Sequence, residues 1–268
     1  MSTPELSVQL YTVRDALTED TPGTLARLAE SGFRNVEAFG FVGRAAELRA
    51  AFDAAGLVSP SAHAGFLTDE VRYGDTVIVN PPFEQVLDDA ETLGVTTLID
   101  PMVSPDRWRD IDEIRGTADR LNGYVDAAEA RGIRLGYHNH SQEFIASFDG
   151  VSGLEAFAAL LDPRIVLEVD VYWAAIGGQD VPALLRRLGD RVRLLHMKDG
   201  ILGEDPFRTT EPVTLQQRIA GTGEVPLHEV LAAAPAAEFA VVEFDTYDGD
   251  LFGAIDASAA FLREEGVR

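Results

Sequence analysis

The sequence predicts an α/β fold in a single domain, a (β/α)8 barrel, and three observations carry that prediction. Apolar, β-rich runs alternate with helical patterns about eight times along the 268 residues. Strict βα alternation builds a parallel sheet covered by helices. Eight such units in roughly 250 residues is the usual size of a closed barrel. A doubly wound open sheet is the alternative. No linker and no low-complexity stretch interrupts the chain, so residues 1–268 read as one domain.

The strand candidates, in order, are Leu6–Thr12, Asn35–Phe39, Val58–His63, Thr96–Asp100, Ile133–His140, Ile165–Asp170, Val192–Lys198 and Phe239–Asp245. Helical periods with start and stop signals lie between them. Thr21-Pro22 reads as N-cap and first turn of one helix. Ser104-Pro105 opens a longer one, whose apolar series Ile111, Ile114, Ala118, Leu121, Val125 and Ala128 ends at Gly132. Asp180-Val181-Pro182 opens another that stops near Gly189. Two stretches after strands, Gly65–Pro82 and Gly200–Val213, read as long and irregular, the place where a barrel keeps its substrate loops.

Composition narrows the functional classes. With 46% hydrophobic and 25% charged residues the chain is of ordinary globular make-up. The absence of cysteine excludes disulfides, thiolate zinc sites and thiol nucleophiles. The start, MSTPELSVQL, lacks a charged segment followed by an apolar one, and no run approaches the ~18 apolar residues of a membrane span. A cytoplasmic location is therefore expected. The net charge of −23 repels phosphate backbones and anionic membranes, so neither nucleic acid nor membrane is an expected partner. A small substrate feels the local field of its pocket instead.

The chemistry-bearing residues gather at strand ends. Of the five histidines, His63, His138, His140 and His196 fall there, while His228 sits on a helix and reads as a surface residue. In a parallel barrel those ends converge on one mouth. Carboxylates share the bias: Glu37, Asp170, and Glu243 with Asp245. Residues two apart on a strand share a face, which pairs His138 with His140, Glu168 with Asp170, His196 with Lys198, and Glu243 with Asp245. So many charges buried together demand a counter-charge. One divalent metal ion supplies it, and mixed histidine and carboxylate ligation suits Mn²⁺, Co²⁺, Zn²⁺ or Mg²⁺. An isolated Asp after a strand would be read as a helix cap; the set resists that reading. Lys198 is placed to hold a substrate oxygen or balance the carboxylates, and Asp199 to orient a loop. Gln9, Tyr11, Glu37 and His63 are candidate substrate contacts, and Trp173 is placed to stack on a sugar ring.

With these residues in view the chain resembles the sugar phosphate isomerase/epimerase family of xylose isomerase-like barrels. The resemblance runs through Ser7–Arg14, Asn35–Glu37, Leu135–Phe144 with its YHNH-x-x-EF motif, Leu167–Trp173, Leu195–Asp199 with HMKD, Gly221–Val225 and Val241–Glu243. It implies one metal ion held by acidic and histidine ligands from strands 5 to 8. Asp170, His196 and Glu243 match that pattern. Many relatives carry Glu where this chain places His138, so the fourth ligand is either His138 or Glu143. Glu143, just past the strand, is the preferred assignment, leaving His138 and His140 for substrate or proton transfer. The implied reaction is α-proton abstraction from a sugar or keto-sugar derivative, with a metal-stabilised enediolate and return of the proton in isomerisation or epimerisation. Glu243 and Glu143, with the two histidines, are the implied catalytic groups.

Three other readings remain. A lyase or dehydratase acting on an inositol or 3-keto-glycoside begins with the same proton abstraction. A non-catalytic sugar-binding barrel needs no turnover. A hydrolase like the apurinic-site endonuclease, which the family includes, needs a multi-metal cluster and a basic groove, which the −23 charge argues against. Barrels of this kind often pair through their loop faces, so a homo-oligomer is a further possibility.

Overall fold

A computed structural model describes residues 3–73 and 76–268. Eight parallel strands close into a barrel: β1 Glu5–Gln9, β2 Asn35–Phe39, β3 Val58–His63, β4 Thr97–Asp100, β5 Arg134–His138, β6 Val166–Asp170, β7 Val192–His196 and β8 Phe239–Val242. Neighbours pair in chain order, and β8 closes on β1 from Glu5↔Phe239 to Val8↔Val242. Closure rules out the open doubly wound sheet. The bounds of β2 and β3 are those expected. β1, β5, β7 and β8 end sooner than the sequence suggests, because their ladders run out: the last rungs join Asp170 to His196 and His196 to Val241. The residues beyond, including His140, Lys198, Glu243 and Asp245, stand on the loops of the mouth.

Eight helices cover the barrel: α1 Thr21–Glu30, α2 Ala45–Ala55, α3 Phe83–Leu93, α4 Ile111–Glu129, α5 Gly153–Leu160, α6 Val181–Leu188, α7 Leu227–Ala233 and α8 Leu251–Glu264. A short helix at Arg14–Glu19 follows β1 through a 3₁₀ turn, Leu10–Val13, and another at Val171–Ile176 follows β6 directly. Two helix starts differ from expectation, and capping explains both. Asp20, not Thr21, caps α1, its carboxylate accepting from Gly23 N. The segment Pro105–Trp108 is a separate 3₁₀ turn whose Ser104 makes no cap bond. Asp110 opens α4 instead, taking the otherwise orphaned N–H groups of Asp112 and Glu113. Asp180 caps α6 as expected, and the helix ends at Gly189. Among the described residues no helix is long and apolar enough to cross a membrane.

The two stretches expected to be irregular each hold paired strands. Glu70–Tyr73 pairs with Thr76–Val79 inside the first, and Asp199–Ile201 pairs with Gln216–Arg218 across the second. The second hairpin is pinned by Asp199, whose carboxylate accepts from Gly200, Gly221, Gly223 and Val225 N at 2.8–3.1 Å. Gly223 is required there, since a Cβ would lie 2.2 Å from Asp199 Oδ1.

The barrel interior is stacked in layers. At the N-terminal rim Arg134 and Arg193 clasp Glu238. Above it Ile99, Val166 and Leu194 form a small apolar cluster with Phe239, separate from the main core between sheet and helices. Gly136 leaves the room for that plug: a Cβ would meet Ile99 Cγ1 and Val166 Cγ2 at 3.2 and 3.3 Å. Alternation then dictates what comes next. Two residues on from Gly136, Val166, Leu194 and Val241 along the same inner faces stand His138, Glu168, His196 and Glu243. Leu135 and Tyr137 point the other way, Tyr137 packing against Trp108 and Phe157.

Replacing Asp199 with Ala leaves four backbone donors without their acceptor. The variant is expected to lose about 2–4 kcal/mol of unfolding free energy. Urea denaturation with unchanged slope checks this.

Candidate functional site

The inner wall carries its polar side chains at two levels. In the lower one, Glu37 on β2 and Glu168 on β6 are both buried. Glu37 accepts from Gln9 Nε2 at 2.7 Å and from Ser61 Oγ at 2.5 Å. Its Oε1 also lies 2.7 Å from His196 Nε2 and 3.1 Å from His63 Nε2. Glu168 Oε2 meets His63 Nε2 at 2.5 Å, and His138 Nδ1 and His196 Nε2 at 3.1 Å. The three imidazoles therefore stand in one cluster, His63 parallel to His196 at 5.3 Å between centroids and His138 edge-on to both.

The upper level holds Asp170, Glu243, Lys198 and Asp245. His196 Nδ1 is 2.5 Å from Glu243 Oε2, and His138 Nε2 is 3.9 Å from Asp170 Oδ2. Lys198 Nζ sits within 2.8–3.0 Å of carboxylate oxygens of Asp170, Glu243 and Asp245. Asp170 has two tasks. Its Oδ1 accepts from Trp173 N and caps the short helix after β6, while Oδ2, turned inward, has no hydrogen-bond partner. The nearby ammonium contacts Oδ2 through charge rather than through an aligned hydrogen bond.

Burial and charge set the protonation. Burial pushes Asp170 up to about 6, although Lys198 and His196 pull it down. Burial also opposes ionisation of Glu243, but Lys198 and His196 hold it well below the usual carboxylate range. Lys198 is desolvated, yet its three carboxylates keep it an ammonium. His63 and His196 are buried too, and are pushed up by carboxylates: Glu37 and Glu168 act on His63, Glu168 and Glu243 on His196. His138 and His140 go the other way. Burial lowers both, with the cationic neighbours His196 and Lys198 adding to it, His140 falling to about 4. They are neutral at pH 7.

His138, Asp170, His196 and Glu243 form one buried group able to hold a metal ion, with a ligand atom from each inside 4.8 Å of the others. His63, His138, Glu168 and His196 form a second group of the same kind below it. Two imidazole nitrogens with two carboxylates is a donor set for Zn²⁺, Co²⁺ or Mn²⁺, and Asp170 Oδ2, which contacts Lys198 but accepts no hydrogen bond among the described residues, is the kind of buried acceptor that a cation satisfies.

A cavity of about 630 Å³ opens above this group. Tyr11, His63, His138, His140, Trp173, Lys198, Glu243 and Asp245 reach it, with Phe39 and Phe207 among the apolar walls. Trp173, His140 and Phe207 pack together, with ring centroids 5.3–6.3 Å apart. Phe207 had no signal in the sequence. It is delivered by the long loop after β7, which Asp205 ties down by accepting from Ser141 Oγ and Phe207 N.

Several site assignments change. Glu143 does not join the metal-capable group. It follows the outward-facing Tyr137, whose hydroxyl donates to it at 2.7 Å, and it also accepts from His140 N at 2.9 Å. That side chain lies in the wall between sheet and helices, away from the axis, and His138 occupies the inward position on β5. Gln9 and Glu37 do not reach the cavity as substrate contacts; they are spent on each other and on Tyr11 N, Ser61 and His196 below it. Glu168, which alternation puts on one face with Asp170 but to which no sequence motif assigns a role, stands at the centre of the lower level. His228 is exposed and paired with Glu265.

Fold and site together define a closed parallel barrel with a buried histidine and carboxylate group at its C-terminal mouth. The chain belongs to the xylose isomerase-like TIM barrel family, which matches residues 25–265. No curated protein matches significantly. Among solved structures, a sugar phosphate isomerase/epimerase from Parabacteroides distasonis ATCC 8503 superposes with a TM-score of 0.78 at 24% identity, over 98% of this chain and 94% of that one. The probable 3-DHS dehydratase AsbF involved in petrobactin synthesis from Bacillus anthracis gives 0.72 at 13%, over 97% and 98%. An IolI protein with a bound zinc atom gives 0.68 at 16%, over 97% of each chain. At these identities the likeness is one of fold.

Burial raises the Glu143 carboxyl to about 7, so the fold favours its neutral form. A raised folded pKa contributes stability that is complete below the ordinary value of 4.5 and is lost as pH rises through 7. Relative to Glu143→Gln, the wild type is expected to lose about 2–3 kcal/mol of unfolding free energy across that window. Urea titrations at pH 4.5 and 8 check this. Metal uptake of the Gln variant is expected to match wild type, whereas His138→Gln is expected to lose it.

Proposed function

We propose that this chain is a divalent-metal-dependent isomerase or epimerase that moves a proton at the carbon next to the carbonyl of a sugar or keto-sugar derivative. The observation that carries the reading is the group His138, Asp170, His196 and Glu243, buried directly beneath a cavity whose walls combine aromatic faces with polar groups. Those four residues would hold the ion, and a bound divalent ion supplies Lewis-acid polarisation of a carbonyl and its neighbouring hydroxyl. The sugar phosphate isomerase/epimerase and the zinc-binding protein of the same fold support the choice of chemistry and ion.

The side chains divide the remaining work. Glu243, which faces the cavity, is the base that takes the α-proton. His140, neutral and lining the cavity, is placed to carry a proton. Lys198 offers an ammonium to a substrate oxygen at the same rim. Trp173 and Phe207 provide flat apolar faces of the kind that pack on a sugar ring, and they keep water from the reacting carbon. His63, reaching the cavity from β3, is a further substrate contact, and Tyr11 closes the opposite edge with its ring against Phe39.

Two measurements test this. Elemental analysis after a Mn²⁺ soak is expected to find about one ion per chain in the wild type and none in the Asp170→Ala/Glu243→Ala double variant. In D₂O, NMR of keto-sugars with the loaded enzyme is expected to show deuterium entering the carbon beside the carbonyl, with Glu243→Gln slowing that exchange at least 100-fold. An ion without exchange on any keto-sugar would leave a sugar-binding barrel as the better reading. Exchange with loss of water would identify a dehydratase.

A further inference from the structure

Glu168 is buried at 1% exposure and does not reach the cavity, so it touches no substrate. Yet three imidazole nitrogens converge on its Oε2: His63 Nε2, His138 Nδ1 and His196 Nε2. Its other oxygen, Oε1, has no hydrogen-bond partner among the described residues, so the contacts that hold the carboxylate are those to the rings. Glu37 backs it, with Oε1 2.7 Å from His196 Nε2 while Gln9 and Ser61 fix its position.

His138 and His196 thus each stand between two carboxylate levels. Of their lower nitrogens, His138 Nδ1 faces Glu168, and His196 Nε2 faces Glu37 at 2.7 Å and Glu168 at 3.1 Å. Their upper nitrogens, Nε2 of His138 and Nδ1 of His196, face Asp170 and Glu243. A neutral imidazole has one N–H and one lone pair, and whichever nitrogen donates to a carboxylate leaves the other as the ligand. A ring cannot serve both metal-capable groups at once while it stays neutral, because both groups draw on His138 and His196.

We infer that Glu168, seconded by Glu37, is a positioning residue that fixes the tautomers of His138 and His196, so that His138 Nε2 and His196 Nδ1 present their lone pairs to the ion in the upper group. This rests on the reading of that group as the ion site. The lower group is then the hydrogen-bonding support of the upper one rather than a second place for a metal.

Co²⁺ binding tests it, with affinity from competition against a chromophoric chelator and geometry from the visible d–d spectrum. Glu168→Gln is expected to bind one Co²⁺ per chain 10–100-fold more weakly than wild type, with an altered spectrum. Glu168→Asp is expected to recover part of the loss. An unchanged Co²⁺ affinity in a folded Glu168→Gln would overturn the inference and leave the proposed function standing. Loss of all Co²⁺ in Glu168→Gln, with wild-type binding in Asp170→Asn, would also overturn it by putting the ion in the lower group. A wild type that binds no Co²⁺ would sink both the inference and the ion site it rests on. The tautomers can be read without any variant, by long-range ¹H–¹⁵N NMR of the Zn²⁺-loaded wild type. His138 is expected to carry its proton on Nδ1 and His196 on Nε2, and the opposite tautomer in either ring would refute the inference.

Discussion

Four carboxylates, those of Glu37, Glu168, Asp170 and Glu243, are withdrawn from water on the inner wall of a single barrel, and the arrangement of the mouth is the response to that burial. An unpaired buried carboxylate is expensive enough that proteins either protonate it or surround it with cations and donors. This chain does some of each. Lys198 places one positive charge among Asp170, Glu243 and Asp245, and the imidazoles of His63 and His196 stand against Glu37, Glu168 and Glu243. Asp170 remains the least well matched, pushed up toward neutrality and with an inward oxygen lacking a hydrogen bond. A group with that deficit of positive charge, flanked by two imidazole nitrogens, is chemically matched to a divalent cation.

The backbone leaves little choice about where these groups go. Along β5 the inward positions are Arg134, Gly136 and His138, and along β6 they are Val166, Glu168 and Asp170. The barrel therefore passes from an ionic rim through an apolar plug to the polar levels within three inward-facing residues of one strand. The plug of Ile99, Val166, Leu194 and Phe239 closes the floor, which keeps the lower histidines and glutamates out of solvent and strengthens every charge interaction above it. The asymmetry between a closed floor and an open mouth confines these buried charges to one end of the barrel.

Most of this architecture is legible in the sequence, because two periodicities report on it. The βα alternation gives the barrel, and residues two apart give the shared faces of Glu168 with Asp170 and of Glu243 with Asp245. Histidines at strand ends single out the mouth. What alternation does not report is where a side chain past the end of a strand turns. Glu143 lies five residues beyond His138, and its place is decided by the hydroxyl of Tyr137, a residue whose outward orientation is itself visible in the alternation. The same rule places Gln9 and Glu37 at the lower level instead of in the cavity, since each sits one inward step deeper than the last residue able to reach the opening. Phe207 lies outside any periodicity. Its position depends on Asp205 meeting Ser141 across two loops, a contact between residues 64 apart that no local pattern encodes.

The histidines show most clearly how neighbouring groups divide one type of side chain into distinct roles. His63 faces two carboxylates and His196 three, and both rings are driven toward the charged form. Burial, with cationic neighbours adding to it, drives His138 and His140 toward the neutral one. Binding a divalent ion at His196 requires that ring to give up its extra proton, so ion and proton are alternative answers to the same carboxylate excess. The site is thus built to be filled by positive charge in one form or another, and an ion that enters it replaces a charge that the fold already needs.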